Sequence, residues 1–114
     1  MSLDALPALS VMTFNVGNGL VRPERLAAFL IESSSEVVGL QEVDAAQADA
    51  IERETGEQYP YRVIRGSGFS GRALLSRRPI LEHSWLELST TRSDLRATID
   101  VLHVSMTVLV VHPD

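Results

Sequence analysis

The sequence predicts an α/β fold: a mixed sheet, or a pair of sheets, with helices covering one outer face. Two strand–helix units open the chain, and a series of strand candidates without helical period follows Pro60. The 114 residues suit a single domain with one core.

Val11-Met12-Thr13-Phe14-Asn15-Val16 reads as a buried strand closed by Gly17-Asn18-Gly19. Pro23 suits the first turn of a helix, and Leu26, Phe29 and Leu30 form a one-sided apolar stripe that Ser33-Ser34-Ser35 ends. Val37-Val38-Gly39-Leu40-Gln41 is a second strand with Glu42 at its exit. A helix from about Asp44 to Thr55 follows, with Asp44 as N-cap and Gly56 as its stop. The later strand candidates are Tyr61 to Arg65, Ala73 to Ser76, Ile80 to Leu88, Arg96 to Val104 and Ser105 to His112.

Composition removes several classes of function. With 45% hydrophobic and 22% charged residues the chain is an ordinary globular one rather than a disordered one. The absence of cysteine excludes disulfides, thiolate ligands and cysteine nucleophiles. A net charge of −5 gives no general field for a polyanion, so nucleic-acid binding needs a local patch. Arginines 62, 65, 72, 77, 78, 92 and 96 are candidates for one, against the plainer reading of scattered solvated charge. No apolar run approaches the roughly 20 residues of a membrane helix. The expected compartment is the cytoplasm, with export left open because Met1-Ser2-Leu3 also resembles a cloning addition in place of a leader.

Asn15 and Glu42 stand at the C-terminal ends of the first two strands, where α/β sheets gather their ligand-binding groups. Taken singly, Glu42 reads as a solvated carboxylate and Asn15 as a turn former. Gly66-Ser67-Gly68-Phe69-Ser70-Gly71 fits G-x-G-x-x-G, but no helix follows to hold a pyrophosphate, so the segment reads as a mobile hairpin loop. His112 ends a strand near the other strand termini. His103, placed on a strand, and His83, beside Trp85, are given no chemistry.

In order, Val11 to Val16, Val38-Gly39-Leu40-Gln41-Glu42-Val43, Gly71 to Arg77, Arg96-Ala97-Thr98 and Val110-Val111-His112-Pro113 resemble the opening motifs of the endonuclease/exonuclease/phosphatase superfamily, with Leu-Gln-Glu-Val the most specific. The resemblance implies half of a four-layer α/β/β/α sandwich, residues 1–114 forming the N-terminal part of one domain that stops before the later catalytic motifs. It implies a phosphoesterase that uses magnesium or manganese and in-line attack by water. Glu42 would bind the metal, Asn15 would help position metal or phosphate, Arg96 would lie near the substrate phosphate, and His112 would contact the scissile phosphate oxygens.

Asp44 departs from the pancreatic-type nucleases, which carry a basic contact there. The later Gly-Asp-x-Asn and Ser-Asp-His segments do not occur. The resemblance thus implies an inactive isolated chain with an active parent acting on a phosphate ester. It further implies an exposed aliphatic face around Val108 to Val111 that drives self-association or pairing with a missing C-terminal half. The alternatives are a non-catalytic half-domain for binding or assembly and, more weakly, a nucleotide-binding module built on the glycine loop.

Overall fold

The computed structural model describes residues 9–17, 21–87 and 93–111. Strand β1 (Val11–Asn15), helix α1 (Pro23–Glu32), strand β2 (Val37–Gln41) and helix α2 (Ala45–Glu54) form the two strand–helix units. Strands β3 (Tyr61–Arg65) and β4 (Arg72–Ser76) complete a four-stranded sheet in the order β1-β2-β4-β3, with β1 and β2 parallel and the other pairs antiparallel. Strands β5 (Ile80–Glu87), β6 (Ser93–Val101) and β7 (Val104–Val110) form a second, antiparallel sheet in chain order.

Burial explains this layering. The central strands β2 and β4 are buried nearly throughout, as a run of apolar residues covered on both faces must be. One face of the first sheet, through Val38, Leu40, Ala73 and Leu75, packs with Leu26 and Leu30 of α1 and Ile51 of α2. The other, through Val37 and Leu74, packs with Leu95, Ala97, Ile99 and Val101 of β6 and Val110 of β7. Helices, first sheet and second sheet therefore form three layers, with helices on one outer face. No helix among the described residues is long and apolar enough to cross a membrane.

Several expected boundaries and faces move, and β1, expected to be buried, is a largely exposed strand at the end of its sheet. Phe29 is 49% exposed and meets the Phe14 ring at 5.8 Å, while Ala27 takes the buried place beside Leu26 and Leu30. The end of α2 is made by Thr55, whose backbone N–H and hydroxyl both donate to the Ile51 carbonyl, rather than by Gly56. Alternation limits the exposed aliphatic face of β7: Leu109 is 53% exposed, whereas Val110 points into the core at 2%.

The largest shift concerns the last two strands. The turn lies at Leu102-His103 instead of after Val104, because Val101 pairs with Val104. His103 is thus a turn residue, and its N–H donates to Asp100 Oδ1 at 2.9 Å. Both turn residues are left-handed, at φ 54° and 71°, the backbone of a two-residue I′ hairpin that favours Asn-Gly. Leucine gives no sequence signal for such a turn. Leu102→Asn with His103→Gly should stabilise the fold by about 1–2 kcal/mol, measured by urea unfolding; an unchanged midpoint would contradict the strain assigned here.

Candidate functional site

The ends of β1 and β2 lie side by side, with Asn15 opposite Gln41. Glu42 leaves β2 at φ 59°, a left-handed conformation unusual for a residue with a β-carbon. Its Oε2 accepts a hydrogen bond from Asn15 Nδ2 at 2.6 Å, and Asn15 Oδ1 accepts the Gly17 N–H at 2.8 Å. A carboxylate only accepts and a backbone N–H only donates, so the two bonds define which end of the amide is which. Asn15 is both the turn former and the partner of Glu42.

Neighbouring groups brace this pair. The Val16 N–H donates to the Gln41 carbonyl at 3.0 Å, extending the β1–β2 pairing by one residue. Gln41 Nε2 donates to the Val111 carbonyl at 2.8 Å, tying the end of β7 to the end of β2. Asp44 caps α2 by accepting the Gln47 N–H at 2.7 Å, and the Gln47 side chain accepts the Asp44 N–H in return. Buried Gln47 also donates from Nε2 to the Val16 and Val21 carbonyls at 3.3 and 2.7 Å. Asp44 is therefore engaged in starting a helix. The Asp44-x-x-Gln47 spacing was the one sequence signal for this brace.

The glycine segment is packed against the same loop. Its centre is a single 3₁₀ turn at Gly68–Ser70, and β4 follows it directly. No Rossmann-type helix begins there, as its sequence context required. The Gly68 N–H donates to the Val43 carbonyl at 2.9 Å, and the Val43 N–H donates to the Gly71 carbonyl at 3.3 Å. The expected mobile hairpin loop is instead bonded to the residue that follows Glu42.

The other sequence-predicted site residues are placed differently. Arg96 is exposed on the face of β6 opposite Leu95 and Ala97, turned away from the first sheet. There it lines a shallow cavity of about 140 Å³ with Glu82, His83, Ser84 and Thr98. His112 lies outside the described residues; Val111 before it is held by Gln41.

The candidate basic patch is largely spent within the fold. Arg62 donates to the Ile51 and Glu52 carbonyls at the end of α2, Arg77 to the Ser33 carbonyl, and Arg78 to Glu36 at 2.7 Å. Arg72 and Asp94, 1% and 3% exposed, form an inter-sheet ion pair at 3.6 Å. Arg92 lies outside the described residues.

The sequence profile described as the Endonuclease/Exonuclease/phosphatase family matches residues 12–113. The chain belongs to this family. Comparison with curated proteins gave no match. Among solved structures, this member of the family is similar to truncated TDP2 of Caenorhabditis elegans, at 18% identity and a TM-score of 0.75, over 93% of this chain and 46% of that one. It is similar to TDP2 of D. rerio, solved with a single strand DNA product, at 18% identity and a TM-score of 0.72, over 89% and 44% of the two chains. An endonuclease/exonuclease/phosphatase family protein of Leptotrichia buccalis gives 18% identity and a TM-score of 0.67, over 94% and 55%. Identities this low show a shared fold, and the chain spans about half the length of these structures or less.

At the same end of this family fold, Arg65 donates from one nitrogen to Glu87 and to Ser93, each at 3.0 Å, and stacks on Trp85 at 3.7 Å. The bond from Arg65 holds Glu87 below its ordinary carboxylate value of 4.5, outweighing the opposing effect of desolvation. A lowered carboxylate contributes stability that is present above the ordinary value and is lost as pH falls through the lowered one. Acid titration of the fluorescence of Trp85, the sole tryptophan, should show a transition below pH 4.5 that Glu87→Gln abolishes. The same transition in both proteins would refute the assignment.

The backbone at Glu42 gives a second prediction. Glycine relieves a left-handed residue, so Glu42→Gly should raise unfolding stability by about 1 kcal/mol even while it removes the carboxylate. Calorimetry showing a loss of stability would mean that the side-chain contacts outweigh the strain.

Proposed function

We propose that this chain carries part of the active site of a magnesium- or manganese-dependent phosphoesterase that hydrolyses a phosphate ester by in-line attack of water. The 2.6 Å contact between Asn15 and Glu42, at the ends of adjacent parallel strands, carries the reading. Hard divalent cations take oxygen ligands, and magnesium in particular is bound by one or two carboxylates, completed by water and substrate phosphate.

When bound, the cation would supply Lewis-acid stabilisation of charge on the phosphoryl oxygens. Glu42 would hold it. Asn15, with its amide oxygen turned to Gly17 and its nitrogen to Glu42, orients that carboxylate. His112 is proposed as the contact to the scissile phosphate, and the tie between Gln41 and Val111 supports a β7 terminus close to Glu42. Arg96 remains the proposed substrate-phosphate residue on the strength of the resemblance; the geometry supports Asn15 and Glu42 as the centre of the site.

The substrate is proposed as a phosphate ester, and the DNA product bound to the D. rerio relative brings nucleic-acid strands within that class. A non-catalytic role in binding or assembly is the second reading.

In a protein containing this chain within a full-length family domain, Glu42→Gln should lower magnesium-dependent hydrolysis of a generic phosphodiester at least about 100-fold with its melting curve preserved. Activity within a few fold of wild type would end the proposal.

A further inference from the structure

We propose that the glycine segment between β3 and β4, together with the buried Arg72–Asp94 pair, is the positioning device for Glu42. It sets the backbone from which the carboxylate is presented. Its functional meaning rests on the reading of Glu42 as a cation ligand, but the device is a statement about the backbone at position 42 and is tested there.

The contacts run in one connected series. Asp94 on β6 of the second sheet faces Arg72 on β4 of the first at 3.6 Å, with both side chains buried. Arg72 donates from Nη1 to the Gly71 carbonyl at 2.9 Å. That carbonyl also accepts the Val43 N–H at 3.3 Å, while the Val43 carbonyl accepts the Gly68 N–H at 2.9 Å. Val43 is thus gripped at both its N–H and its C=O, immediately after the left-handed Glu42.

Close approach makes the device depend on glycine. A β-carbon at Gly71 would lie 1.9 Å from the Val43 oxygen, and one at Gly66 would lie 2.7 Å from the Asp44 oxygen and 2.6 Å from the Ala48 β-carbon. Backbone, not a flexible side-chain tip, occupies most of that space, so a methyl group at position 71 must displace Val43. The buried guanidinium has five donors to satisfy, and the Gly71 carbonyl takes one of them. Here the guanidinium holds that carbonyl on one side while Val43 bonds it on the other.

The test uses NMR and manganese titration on a protein that contains this chain within a full-length family domain. Glu42 Cα and Cβ shifts with the HN–Hα coupling report its φ, and Mn2+ titration reports divalent affinity. The variants are Gly71→Ala and Arg72→Lys, with Gly56→Ala as control, since the nearest heavy atom to a β-carbon at position 56 is a guanidinium nitrogen of Arg62 at 3.8 Å. Both test variants should move Glu42 out of the left-handed region and weaken Mn2+ binding about tenfold, with α1 and β5 shifts as in wild type. The control should change neither.

If Gly71→Ala does not fold, Arg72→Lys decides alone. A left-handed Glu42 retained in either folded test variant overturns the device. Absence of Mn2+ binding by the wild-type full-length domain would count against the cation-ligand reading instead, and the φ measurement would still decide whether the device exists.

Discussion

The Val43 peptide groups, bonded at both N–H and C=O by the loop between β3 and β4, are the constraint on which the candidate site depends. A glutamate with φ at 59° is not a conformation that a free loop selects, because its β-carbon crowds the backbone. Something must over-determine it, and here that is a set of backbone bonds on one side and the Asn15 amide on the other. Local strain maintained by surrounding structure is a recurring feature of functional sites, and the carboxylate in question is the one with the clearest chemical use.

The same region shows how three layers converge on one loop. The α2 capping box starts two residues after Glu42, and Gln47 within it reaches back to the carbonyls of Val16 and Val21. Gln41 connects this first sheet to the end of β7 in the second. The groups that hold the site are therefore side-chain amides and the backbone of glycines as much as charged groups. Each satisfies backbone groups that turning the chain at a sheet edge would otherwise strand.

Charge is used sparingly and mostly for architecture. Arg62, Arg72, Arg77 and Arg78 bond to carbonyls and carboxylates of neighbouring elements, and Arg65 lies between Trp85 and Glu87. With a net charge of −5, phosphate recognition by this fold would rest on local groups and a bound cation, not on a long-range attractive field. The spacing of arginines along the chain carries no information about this, because an exposed guanidinium and one satisfied by a helix end read alike in sequence.

The amino-acid sequence by itself determined the α/β class, both strand–helix units, the Asp44 cap and the positions of Asn15 and Glu42 at strand ends. These follow from local periodicity, propensity and capping chemistry, which act over a few residues. Only the tertiary structure decided that Asn15 bonds Glu42, that the glycines clamp Val43, that Arg96 faces outward and that the last hairpin turns at Leu102-His103. Those outcomes arise from contacts across 25 or more residues, or from a pairing register that overrides the turn preference of leucine, and neither leaves a periodic trace in the chain.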